Sequence, residues 1–214
     1  VREARQDAWE LALAQVSQLE GRVVVCPDVS GSMSSPVTGH RRGATSAMRC
    51  IDLAALVAAA VLRHNAGARV LPFETKVVPV ALNPRDSVMT NAQKLAAIGG
   101  GGTACAAPLE LLNREKAQAD LVLLVSDNES WADRARGRGT ATMQAWAAFK
   151  QRNPQARLVC IDLQPHGSVQ AKEQPDVLNI GGFSDEVFKL LALYAAGGLG
   201  ADHWVGVIDE VALT

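Results

Sequence analysis

The chain has 214 residues, a formal net charge of −1, 48% hydrophobic residues and 20% charged ones. That length corresponds to one full-sized domain, which buries roughly 70% of its unfolded surface and needs no disulfide or structural metal to hold its core. The balance excludes long-range disorder and a strongly basic nucleic-acid footprint over the whole domain, and 4% aromatic residues speaks against platforms for stacking single-stranded bases.

Taken in chain order, Arg5–Leu19 reads as a helix with Trp9, Leu13 and Val16 on one stripe. Residues 1–20 are therefore expected to form an N-terminal helix linking to an upstream module, and residues 21–214 the domain itself. Arg22–Cys26 is a first strand. Ser46–His64 is apolar nearly all round, so it is expected as a buried helix that stops before Gly67. Ala68–Phe73 is a second strand, and Lys76–Val80 follows closely enough to predict an antiparallel edge strand. Helices are predicted over Pro84–Ala97 and Ala106–Gln118, a strand over Asp120–Ser126, a helix over Thr140–Arg152, and strands over Arg157–Asp162 and Asp176–Ile180. Ser184–Ala195 closes the series as a helix with an acidic first turn. Trp204–Leu213 fits strand and helix equally. Several strands are unbroken β-branched runs, as expected when both faces of a parallel sheet are buried. The alternation predicts an α/β, Rossmann-like, doubly wound and mostly parallel sheet with helices on both faces.

The longest apolar stretch, Ile51–Leu62, is interrupted by Asp52 and is far short of the ~20 residues of a membrane span, so no membrane association is expected. Cys26, Cys50, Cys105 and Cys160 form no C-x-x-C pair and stand at no zinc spacing, so they are read as buried structural thiols. Dispersed free thiols suit a reducing compartment, and the expected location is cytoplasmic.

Ligands in open α/β sheets bind outside the carboxyl ends of the strands. Three segments fall at such ends: Asp28-Val29-Ser30-Gly31-Ser32 after the first strand, Gly99–Thr103 opening a helix, and Ser126-Asp127-Asn128-Glu129 closing a later strand. Together they offer hard oxygen donors from Asp28, Ser30, Ser32, Thr103 and Asp127. Hydroxyls with few carboxylates suit Mg2+, with Mn2+ or Ca2+ as alternatives. If the loop stays roughly extended, alternation turns Asp28, Ser30 and Ser32 toward one point, while the glycines let the backbone approach closely. An ion held mainly by neutral ligands keeps positive charge and an open position, which an acidic side chain of a partner or a phosphate oxygen would fill. D-x-S-x-S alone is a weak pattern, because Ser, Asp and Gly populate loops generally. Three such segments at strand ends carry the assignment.

This set resembles the metal-ion-dependent adhesion site of von Willebrand factor A domains. The phrases GGTAC (Gly101–Cys105) and SDNES (Ser126–Ser130), with Gly181–Phe183 before the last helix, more closely resemble the Ro autoantigen (TROVE) family over roughly Gly21–Ala196. The resemblance implies an A-type domain in which Ser30, Ser32 and Thr103 supply hydroxyls and Asp28 and Asp127 bind directly or through water. It also implies a parent ribonucleoprotein whose ring of helical repeats binds small non-coding and misfolded RNA. These 214 residues contain no such ring, so RNA binding is implied for the parent protein. Two departures stand out. Ala104 replaces an acidic residue that many relatives carry after the Thr, and Pro27 immediately precedes Asp28, where it could tighten or distort the loop.

Arg41 and Arg42, with His40 and Arg49, follow the first loop, and Arg134 and Arg136, with Arg138, follow the third. They offer a candidate rim for a phosphate or an acidic partner, set against the plainer reading of solvated loop charge. Enzymatic readings have less support. There is no P-loop and no G-x-S-x-G, and His40, His64, His166 and His203 are scattered. The expected function is a non-enzymatic, metal-dependent binding module. A generic A-type protein adaptor without an RNA role and a Mg2+-dependent phosphoesterase are the alternatives.

Overall fold

A computed structural model of the chain describes residues 18–38, 48–127, 140–165, 171, 174–184 and 186–197. Among them, five strands form one sheet: β1 (Val23–Pro27), β2 (Arg69–Val70), β3 (Leu121–Ser126), β4 (Arg157–Asp162) and β5 (Val177–Gly181). The order is β2-β1-β3-β4-β5 and every pairing is parallel. The register runs from Val23 opposite Leu121 to Pro27 opposite Val125, and from Leu121 opposite Arg157 to Ser126 opposite Asp162. Five helices are α1 (Cys50–His64), α2 (Val88–Ala96), α3 (Ala107–Arg114), α4 (Ala141–Lys150) and α5 (Glu186–Ala195). The doubly wound α/β expectation holds.

The two-residue period of the strands divides the core in two. Val23, Val25, Leu121, Leu123, Val125, Val159 and Ile161 pack with residues of α1, α2 and α5. Their neighbours Val24, Cys26, Val122, Leu124, Leu158 and Cys160 pack with α3 and α4. Both faces are covered, so the strands carry no polar alternation. Helix α1 packs on β1 and carries α2 as well, which explains why it is apolar nearly all round. All four cysteines are buried, and none is in a disulfide. No helix among the described residues is long and apolar enough to cross a membrane.

Several boundaries move inward for local reasons. Helix α1 begins at Cys50, where Asp52 in its first turn accepts the Arg49 N–H at 3.1 Å. Residues 84–87 do not join α2, because Asn83 draws them into a turn through its side chain (Arg85 N–H to Oδ1, 3.0 Å) and its carbonyl. Ser87 then caps the helix by accepting the Thr90 N–H. Helix α3 ends at Arg114, and Lys116 follows in the left-handed region at φ 52°. The predicted antiparallel edge strand over Lys76–Val80 shrinks to one bridge, Phe73 with Val77, because Pro72 and Pro79 flank so short a hairpin. Gln18 and Leu19 are not helical, and Leu19 instead donates its N–H to Asn65 Oδ1 at 3.0 Å. The rest of the N-terminal helix and Trp204–Leu213 lie outside the described residues.

Arg157 at the start of β4 closes α5. Its guanidinium lies 5.2 Å from the Tyr194 ring centroid and donates to the Tyr194 and Ala195 carbonyls at the helix end. A cation on the last carbonyls satisfies orphan acceptors and complements the helix dipole. Arg157→Ala is expected to cost about 1–2 kcal/mol and to speed amide exchange in the last turn of α5 roughly tenfold, while the β1–β3 amides keep their protection in a hydrogen-exchange experiment.

Candidate metal centre

β1 and β3 are adjacent, but the chain leaves β1 toward β2 on one side and returns to β3 on the other. The crevice at their carboxyl ends is the topological switch point of the sheet. Asp28 sits there with its backbone still in the ladder. Its N–H donates to the Val125 carbonyl at 2.8 Å, and it bridges Phe73 on the opposite side. Pro27 keeps register with Val125, so it ends the strand without distorting it.

The Asp28 side chain is fully buried. Oδ1 accepts the Ser30 N–H at 2.8 Å, and Oδ2 accepts the Ser126 hydroxyl at 2.7 Å. Burial raises its pKa to about 6, opposed by the hydrogen bonds from Ser30 and Ser126 and reinforced by the nearby Asp127 charge. Asp127 follows β3 directly and is itself buried.

The hydroxyls meet above this carboxylate. Thr103 Oγ1 donates to Ser30 Oγ at 2.8 Å, and Ser30 Oγ lies 3.2 Å from Ser32 Oγ. The loop does not stay extended as expected. Ser30 is extended, but Gly31–Ser34 turns into a short 3-10 helix pinned by the fully buried Met33. Ser32 still reaches Ser30. The glycine run lies back to back with this loop: Gly31 N–H donates to the Gly101 carbonyl at 3.0 Å and Gly100 N–H to the Val29 carbonyl at 3.1 Å. Gly100 and Gly101 adopt φ of 134° and 71°, values that side chains disfavour.

Cis ligands on an ion with bonds of 2.0–2.1 Å lie about 2.8–3.0 Å apart. The two hydroxyl separations bracket that edge, so the donor set fits a small hard cation such as Mg2+. No three His, Cys, Asp or Glu side chains converge among the described residues, which leaves no thiolate or imidazole centre there. Asp28, Ser30, Ser32 and Thr103 are thus brought together, with Asp127 beside them. Arg41, Arg42, Arg134 and Arg136 lie outside the described residues. Arg49 is tied to Asp52 by an ion pair at 2.6 Å. The sequence reading missed Ser126 as a support for Asp28, although a hydroxyl directly before Asp127 at a strand end was the available signal. It also missed Gln164, which donates to the Pro36 carbonyl at 2.6 Å and to Cys50 Sγ at 3.3 Å, bracing the exit of the first loop against the start of α1.

The Ro60 vWA domain profile matches residues 22–195. The chain belongs to the Ro60 vWA domain family. The RNA-binding protein Ro60 of Deinococcus radiodurans is 27% identical to this Ro60-type vWA domain over 196 residues, 91% of this chain and 35% of that protein. The crystal structure of the Deinococcus radiodurans Ro (RSR) protein has the same fold, with a TM-score of 0.73 at 22% identity over 92% of this chain and 38% of that one. The Ro60-type vWA domain therefore spans little more than a third of the length of either relative.

Proposed function

We propose that this domain is a non-catalytic binding module that captures an acidic group through a divalent cation, within a Ro-like RNA-binding ribonucleoprotein of the cytoplasm. The observation that carries the reading is the convergence of Ser30, Ser32 and Thr103 hydroxyls from two loops, above the buried Asp28 and beside Asp127. Ser30, Ser32 and Thr103 would hold Mg2+ directly. Asp28, with both oxygens already accepting hydrogen bonds, would act through a bound water, and Asp127 directly or through water. When bound, the ion supplies a Lewis-acidic position for a partner carboxylate or a phosphate oxygen. Contact with small non-coding RNA belongs, in this reading, to a helical-repeat module of the parent protein. The name of the Deinococcus relative and the match to the Ro60 vWA family support that context.

A binding role also accords with the chemistry in place. Asp28 is buried with its oxygens engaged, an arrangement ill-suited to a nucleophile. His64, the one histidine among the described residues, ends α1 at the opposite edge of the sheet. Calorimetric titration with Mg2+ and Mn2+ tests the proposal. Saturable binding is expected for the chain and none for Ser30→Ala/Asp127→Ala. A wild-type chain that takes up neither ion at millimolar concentration would sink the cation reading.

A further inference from the structure

The turn after β2 lays a carboxylate over the glycine run that borders this crevice. Phe73 bridges Asp28 and accepts the Val29 N–H at 2.8 Å, so residue 74 leaves the sheet at the level of the D-x-S-x-S loop. The Glu74 carbonyl accepts the Ala104 N–H at 2.8 Å, directly after Thr103. Its side chain folds over Gly101, where a Cβ would overlap the carboxylate, and the adjoining Thr75 methyl would lie 3.3 Å from a Cβ on Gly102. Gly101 in turn accepts the Gly31 N–H through its carbonyl. Glu74 is therefore packed against the backbone that fixes both Ser30–Ser32 and Thr103. Among the described residues no Lys or Arg pairs with its carboxylate, which meets only the Thr75 hydroxyl at 3.5 Å.

We propose that Glu74 is a specificity-determining residue of the candidate metal centre: it strengthens binding of the divalent ion by charge and makes the ion's open position more selective against weakly held anions. The inference rests on the cation reading above. Three hydroxyls with Asp28 and Asp127 leave a bound divalent ion close to neutral overall, and the Glu74 charge makes the mouth of the site net negative. A bulky anion such as free phosphate is then repelled. A partner carboxylate delivered on a protein surface is retained, because its own interface supplies the remaining binding energy. The glycine at 101 follows from the same geometry, since any side chain there would expel Glu74 from the loop.

The experiment compares the whole chain with Glu74→Gln and with Glu110→Gln, a carboxylate on α3 removed from the crevice. Calorimetry with Mg2+ alone gives the cation affinity, and phosphorus NMR relaxation of inorganic phosphate on the Mn2+-loaded protein gives the anion affinity. Glu74→Gln is expected to weaken Mg2+ roughly 5- to 10-fold and to strengthen phosphate binding by a similar factor, with Glu110→Gln leaving both unchanged. A Glu74→Gln chain that binds Mg2+ as the wild type does overturns the inference and leaves the cation site standing. Loss of both affinities marks Glu74 as a structural support only and overturns it too. A wild-type chain that binds no Mg2+ removes the cation reading itself, and this inference with it.

Discussion

Asp28→Asn is expected to stabilise the metal-free domain at neutral pH while weakening Mg2+ binding roughly 10- to 100-fold. The two effects have one origin. The folded-state pKa of Asp28, about 6, lies above the ordinary carboxylate value of 3.8, mainly because the group is buried. The folded protein thus holds this proton more tightly than the unfolded chain does. The associated stability is fully present below about pH 3.8 and is lost as the pH rises through about 6. Above that point the metal-free protein carries a buried charge at a cost on the order of 1–3 kcal/mol. Asn removes the cost and keeps the contacts, since its Oδ1 accepts the Ser30 N–H and its amide donates to the Ser126 hydroxyl. Denaturant unfolding at pH 7.5 should show the variant more stable than the wild type, and the difference should shrink steadily toward pH 3. The wild type should lose about tenfold in Mg2+ affinity between pH 7 and pH 5, as protons compete for Asp28. The Asn variant should show a flat profile over that range. A wild-type affinity independent of pH would mean that the ion does not sense Asp28.

Trp146→Ala should be among the most damaging single substitutions in the core. Trp146 is 1% exposed, stacks on Phe149 at 5.6 Å between ring centroids, and donates its indole N–H to Asp176 Oδ2 at 2.9 Å. It belongs to the cluster that joins α3 and α4 to β3, β4 and β5. Truncation removes a large buried ring and deprives Asp176 of one donor, leaving Lys150 at 3.4 Å. The expected loss is about 3–5 kcal/mol, a large part of the 5–15 kcal/mol that holds a typical domain. Trp146→Phe keeps the stacking and loses the indole hydrogen bond, so about 1–2 kcal/mol is expected. The two variants, compared by urea midpoint at constant slope, separate ring volume from hydrogen bonding.

The sheet was legible because its strands are continuous apolar runs of strand length, a pattern that only burial on both faces sustains. Helix limits were less legible. Asn83 and Lys116 alter the backbone through local turns that an apolar period does not register. The regular part of β2 is only two residues long, but its pairing with β1 runs further. Pro72 falls at the position whose nitrogen faces away from β1, and pairing continues in phase through the Leu71 N–H to Val25 and the Phe73 N–H to Pro27. At the crevice, Asp28, Ser30, Ser32, Thr103 and Asp127 could be named because each follows a strand or opens a helix at the same edge of the sheet. Ser126, Gln164 and Glu74 could not. Their importance comes from what the fold lays beside them: the Asp28 oxygen, the Pro36 carbonyl and the Gly101 backbone. For Gln164 and Glu74 nothing in their own neighbourhood of the sequence carries that information, whereas Ser126 offered one signal, its hydroxyl directly before Asp127 at a strand end.

The hydrogen-bonded chain from Thr103 through Ser30 to Ser32 bears on what happens when an ion leaves. The hydroxyls spaced for a cation are the same hydroxyls that bond one another without it, and the two loops stay joined through Gly31 and Gly101. If the centre holds the proposed cation, its departure would orphan none of these hydroxyl donors and would leave the Gly31–Gly101 link in place. Loading would then act mainly through hydroxyl rotors and net charge, as a change of surface potential. Such a domain would exchange ions quickly, tolerate long periods empty without aggregating, and report its occupancy to a partner through electrostatics alone.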